Sequence, residues 1–208
     1  MATSCRCRGS ARPRRRSTST STPRVGPSAF SNRPFGELLD EIAARTPAPG
    51  GGSSAACACA IAAALVEMAA AFSPDRKSVA RRAGELRARA LELAEIELHA
   101  YEPVLEALRL AHDDPGRAER VEAAQVTASQ SPLAIAGVAA ELAGLAAGLA
   151  RTRNRNLAGD AIAGAVLAEA AAQAAARLVT INLTEGAAVS EATEFALRAL
   201  KARQEALN

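Results

Sequence analysis

Ser53-Ser-Ala-Ala-Cys-Ala-Cys-Ala-Ile-Ala-Ala-Ala-Leu-Val-Glu-Met-Ala-Ala-Ala-Phe72 carries one charged side chain, Glu67, and no Gly or Pro. Alanine is the strongest helix former, so the stretch predicts one continuous helix. A second stretch, 131–150, is almost as bare of charge, with Glu141 alone. Each approaches the length of a membrane span. Alanine contributes little transfer energy, however, and the mean hydropathy of the chain is only +0.02. A helix that is apolar all round in a soluble chain is a buried central helix. The two stretches therefore predict an all-α, up-and-down bundle built around them, with no membrane partner.

The composition agrees. Of 208 residues, 54 are Ala, against four Phe, one Tyr and no Trp. Small side chains let helices pack closely, whereas sandwiches and barrels favour β-branched and aromatic residues. Base-stacking nucleic-acid modules need exposed aromatics that this chain lacks. The net charge of +3 is unevenly spread: residues 1–33 hold eight Arg and no acid, so the remainder is mildly acidic. That argues against nucleic acid as a partner of the folded part.

Residues 1–33 read as a disordered Arg/Ser/Thr-rich tail, and 34–208 as one helical domain. An Arg-rich, acid-free start resembles an organellar transit peptide. No amphipathic helix is visible in it, so a solvated tail or a misassigned start is the plainer reading, and the cytoplasm is the expected compartment. Cys5-x-Cys7 and Cys57-x-Cys59 lack metal-site spacing. No metal is expected, and free thiols in a reducing compartment are.

From Pro34 onward the pattern is helical. Phe35, Leu38, Leu39, Ile42 and Ala43 form one stripe, which Pro47, Pro49 and Gly50-Gly51-Gly52 terminate. Ser53 is a candidate cap for the next helix. Ser73-Pro74, Asp114-Pro115 and Ser131-Pro132 are further capped starts, predicting helices over about 74–112, 115–129, 131–152, 156–183 and 188–206.

Polar residues on apolar faces are the candidates for chemistry, because burying them is costly unless they are paired or used. The stripe Ala83, Leu86, Ala90, Leu93, Glu97, Ala100, Val104 is interrupted by Glu97, while His99 falls on a charged face. On 156–183, Glu169, Gln173 and Arg177 form a polar stripe. Asp160 and Asn182 bracket a run of small residues on another face, open to a helix or a flat ligand. Taken singly, each carboxylate is more ordinarily an Arg partner or a cap than a catalyst. Gly50-Gly51-Gly52-Ser53 exposes backbone N–H groups to a ligand. It is neither a Walker A nor a dinucleotide motif, and a flexible turn is its plainer reading.

Together these features resemble the cyclodeaminase/cyclohydrolase family, the helical domain of formimidoyltetrahydrofolate cyclodeaminase and its stand-alone relatives, including methenyltetrahydrofolate cyclohydrolases. The resemblance rests on Phe35 through Thr46-Pro-Ala-Pro-Gly-Gly-Gly-Ser53, running into the Ala-rich helix as far as Leu65-Val-Glu-Met68. It rests also on Ser131-Pro-Leu-Ala-Ile-Ala136 with Glu141, and on Asn154-x-Asn156 with Asp160 and Ile181-Asn182-Leu183. Where the family places Asp before x-x-Ala-Phe or x-x-Ala-Tyr, this chain has Glu97 before Ala100-Tyr101. Where the family has an Asn four residues before Asn182, it has Leu178.

The resemblance implies a homodimer with a tetrahydrofolate derivative in a cleft near the subunit interface, and no cofactor beyond that substrate. It implies Glu97 as the catalytic acid/base, with Pro49, Gly50, Gly51, Gly52, Ser53, Asn154, Asn156, Asp160 and Asn182 binding substrate. The reaction implied is either of two. One is closure of 5-formiminotetrahydrofolate to 5,10-methenyltetrahydrofolate with loss of ammonia. The other is hydrolysis of the methenyl form to 10-formyltetrahydrofolate. A catalytically impaired folate-binding or helical scaffold protein is the alternative.

Overall fold

The structure, a computed structural model, describes residues 32–151 and 155–208, the side chains of 74, 155 and 156 excepted. The tail expected over 1–33 lies outside the described residues save for its last two positions. Every regular element among the described residues is helical. In chain order they are α1 (Phe35–Ala43), α2 (Gly51–Ala71), α3 (Lys77–Glu97), α4 (Glu102–Leu108), α5 (Arg117–Ala128), α6 (Gln130–Ala150), α7 (Arg155–Asn182) and α8 (Ala187–Leu207), with a 3₁₀ turn at Pro74–Arg76 between α2 and α3.

The bundle is α2, α3, α6, α7 and α8, running alternately up and down. The start of α2 meets the end of α3, where Ser53 hydrogen-bonds Ala94. The start of α6 meets the same end, and further along Arg82 of α3 holds Glu141 of α6 through two nitrogens. Helix α7 runs back along α2, with Leu178 beside Gly51 and Gly164 beside Ala62 and Val66. Helix α8 returns along α7, where Gln173 donates to the Ala196 carbonyl. The pair α4–α5 is an excursion between α3 and α6.

The uncharged stretches do lie at the centre. In α2, Ala56, Cys59, Ala62, Ala63, Val66 and Ala70 are fully buried; in α6, Ile135, Ala136, Ala139, Leu142, Ala143 and Ala146 are. The spans Gly51–Ala71, Arg117–Ala150 and Leu157–Asn182 are long and apolar enough to cross a membrane by length and composition, and about half of each is buried inside the bundle. Glycine at 164 permits the α2–α7 approach: a Cβ there would lie 3.2 Å from Val66 Cγ2 and 3.4 Å from the Ala62 carbonyl.

Several predicted boundaries move. The helix expected over 74–112 ends at Glu97, and α4 starts separately with Pro103 as its second residue. A proline inside a helix removes a donor and clashes with the preceding turn. Helix α2 starts at Gly51 with Gly50 as its N-cap, and α6 starts at Gln130. Ser53 and Ser131 thus lie inside helices and cap neither; both hydroxyls point to α3. Asp114 does not cap α5 either: the helix starts at Arg117 with Gly116 as its N-cap, and the Asp114 carboxylate accepts from the Gly116 N–H at 2.8 Å in the turn before it.

Candidate active site

One cleft of about 940 Å³ opens where four ends meet: the Pro47–Gly52 run, the last turn of α3 with α4, the first turn of α6, and the last turn of α7. That is near the top of the ~300–1,000 Å³ range of small-molecule sites. Glu97, the last residue of α3, faces it. Its Oε1 accepts a hydrogen bond from the Ser131 hydroxyl at the start of α6. Its Oε2 lies over the α-carbon of Gly52: a Cβ at 52 would sit 1.6 Å away. Only glycine leaves room for the carboxylate there.

Burial pushes the Glu97 carboxyl above the usual carboxylate range, and the Ser131 hydrogen bond opposes that rise. Among the described residues no basic side chain pairs with Glu97. The lone carboxylates of the two nearly uncharged helices, by contrast, are neutralised: Glu67 by Arg87 at 2.9 Å and Glu141 by Arg82 at 2.6 Å. Glu97 is therefore a half-buried carboxylate with raised proton affinity, one hydroxyl partner and open space in front. That arrangement suits a group that takes up and releases a proton.

The candidate residues divide. Pro49, Gly50, Gly51, Gly52, Glu97 and Asn182 line the cleft. Ser53 does not. It directly follows the glycines but is buried, its hydroxyl spent on the Ala94 carbonyl at 3.3 Å. Asp160 does not either. It lies 22 residues before Asn182 on α7, about 33 Å along the helix axis. One cleft in one chain cannot use both ends of that helix, so Asp160 is not grouped with Glu97. The small-residue run between them does not receive a flat ligand, because α2 packs on it. Asn154 and the side chain of Asn156 lie outside the described residues.

Cleft residues not named as site residues in the sequence come from α4 and its approach, Tyr101, Leu105, Glu106 and Arg109, and from the Arg33–Glu41 ion pair. His99 is solvent-exposed as expected, yet it stands at the mouth of the cleft, 3.0 Å from Glu102. Leu178 supplies an apolar wall beside Gly51. Ser131 appears in the sequence as a helix-start signal and as part of the Ser131–Ala136 motif, not as a site residue. Its partner is 34 residues away, beyond what any helical periodicity shows. Cys57 and Cys59 are free thiols, pushed by burial up to about 11 and about 12.

Fold and cleft together define a class: an antiparallel helical bundle with a small-molecule-sized cleft centred on an unpaired carboxylate. The chain belongs to the formiminotransferase-cyclodeaminase family, whose profile matches residues 34–199. It is similar to the crystal structure of formiminotetrahydrofolate cyclodeaminase from Thermotoga maritima, at 26% identity and a TM-score of 0.75, over 85% of this chain and 94% of that one. A search of curated proteins found no match.

Proposed function

We propose that this chain is a folate one-carbon enzyme whose cleft binds a tetrahydrofolate derivative and whose Glu97 shuttles a proton to or from nitrogen. The single observation that carries this reading is the state of Glu97: half-buried, raised in proton affinity, without a cation, and open to the cleft. Formation of 5,10-methenyltetrahydrofolate from the 5-formimino compound passes through a tetrahedral carbon between two nitrogens and must protonate the departing ammonia. A positioned carboxylic acid supplies that proton, an effect of about 100- to 10,000-fold. Pro49–Gly52 and Asn182 stand on either side of Glu97 and would orient the ring system. Cyclodeamination is the favoured direction because the similar solved structure is a cyclodeaminase.

The working form is a homodimer in this reading. The outward faces of α2 and α7 run side by side along their antiparallel seam. Ile61 and Met68 of α2, Phe72 just after it, and Val166 and Ile181 of α7 are exposed, Phe72 to 71%. Patches of this kind mark interfaces. Ile181 belongs both to that face and to the cleft lining, so the cleft reaches the edge of the proposed interface.

The test is absorbance at the methenyltetrahydrofolate band with purified protein and each substrate offered alone. A rise from 5-formiminotetrahydrofolate supports the cyclodeaminase. A decay of methenyltetrahydrofolate above the buffer rate means the cyclohydrolase instead. A flat trace with calorimetric folate binding means a binding module. Glu97→Gln is expected to lower turnover at least about a hundredfold, and unchanged turnover would remove Glu97 from its role.

A further inference from the structure

Ser131 is buried, and it is absent from the cleft wall although its neighbours Ala128 and Pro132 are part of it. It stands behind Glu97, where its hydroxyl donates to Oε1, while Oε2 lies over Gly52. The carboxylate is thus bonded by the first turn of α6 and packed against the first turn of α2. A glutamate side chain has three rotatable bonds, and an unheld one at a helix end would sample many rotamers.

We propose that Ser131 is a positioning residue that acts through Glu97: its hydroxyl occupies Oε1 and fixes the carboxylate plane, leaving Oε2 above Gly52 as the oxygen that meets the substrate. The proposal rests on the reading of Glu97 as the proton-transfer group. A hydroxyl that donates to the ionised form also holds the proton affinity of the acid down against burial. Removing it therefore moves the titration of Glu97 upward. It also loosens the oxygen at the reacting centre, where misplacement by about 1 Å costs on the order of a hundredfold. Substrate contacts on the cleft wall are untouched, so the loss belongs in kcat rather than KM.

The experiment compares wild type, Ser131→Ala and Ser131→Thr as full-length chains. The Glu97 titration is followed by carbon-13 NMR with labelled glutamate, assigned by loss of the signal in Glu97→Gln, and kcat and KM are measured across pH. Ser131→Ala is expected to raise the Glu97 midpoint and lower kcat about ten- to a hundredfold, with KM changed less than about twofold. Ser131→Thr, which keeps the donor, is expected to track wild type. A Glu97 midpoint unmoved in Ser131→Ala overturns the proposal, and so does equal damage from Thr and Ala, which would make the effect one of packing. Should Ser131→Ala fail to fold, Ser131→Cys, of similar size but a weak donor, is read in its place by the same criteria. The titration needs no turnover. If no folate substrate reacts, an upward shift in Ser131→Ala alone upholds Ser131 as the carboxylate's anchor while the catalytic reading of Glu97 falls.

Discussion

Glu67 and Glu141 sit on the two nearly uncharged helices and Glu97 on the apolar stripe of the charged helix α3, and their surroundings differ. Arg87 and Arg82 neutralise Glu67 and Glu141, whereas Glu97 has only a hydroxyl. A carboxyl whose folded proton affinity lies above its unfolded value binds more protons in the folded state between the two. Stability therefore falls as pH rises from the ordinary Glu range through the raised folded value. Glu97→Gln, which carries no charge, is expected to lose that slope and to match or exceed wild-type stability at neutral pH while losing activity. Urea denaturation at acid and neutral pH reads the difference, and a Gln variant less stable than wild type at neutral pH would contradict it. Gly52 is coupled to the same carboxylate. Gly52→Ala is expected to expel Oε2 and cost about 1–3 kcal/mol. Combining it with Glu97→Asp, which shortens the side chain by one methylene, should recover part of that cost in a double-mutant cycle.

At the level of the elements, α2 and α7 come close because the facing residues are small. Gly164 meets Val66 and the Ala62 backbone, and backbone cannot be repacked by a rotamer change. Gly164→Leu is expected to force the two helices apart at about 1–3 kcal/mol, seen as a lower urea midpoint with an unchanged m value. The same packing explains why the glycine run serves the cleft: Gly51 is seated on Leu178 of α7, so Gly52 is presented to α3 from a fixed helix end. The break after Glu97 matters as much. Had α3 continued to 112, Glu97 would be a mid-helix residue on a buried stripe; ending there, it lines a cleft whose wall α4 also supplies.

For the whole molecule, the exposed apolar face of α2 and α7 sets the expected assembly. Sedimentation of wild type should give twice the 21.3 kDa chain mass. Val166→Glu, a charge in the middle of that face, should give the single chain, since an unpaired charge buried in an apolar interface is costly. Wild type running as a monomer at micromolar concentration would dismiss the dimer. Loss of folate turnover in a monomeric, folded Val166→Glu would show that the cleft, which reaches the same face at Ile181, needs the second copy.

The sequence by itself determined the all-helical class, most of the helices though not the break after Glu97, the central place of 53–72 and 131–150, and the oddity of Glu97 on the Ala83–Leu93 stripe. These are readable because helical periodicity and alanine content are local, and a helix with no polar face has nowhere to lie but inside. The capping signals at Ser53 and Ser131 were legible as helix starts and misleading as caps, since nothing local reveals that both hydroxyls are claimed by α3. Only the tertiary structure decided which residues share a site. It brought Gly52, Ser131, Leu178 and Asn182 around Glu97 and left Asp160 at the far end of α7. Partners across helices are fixed by how closely small-residue faces pack, a long-range outcome, and a helix of 28 residues carries its two ends too far apart for motif spacing to stand in for distance.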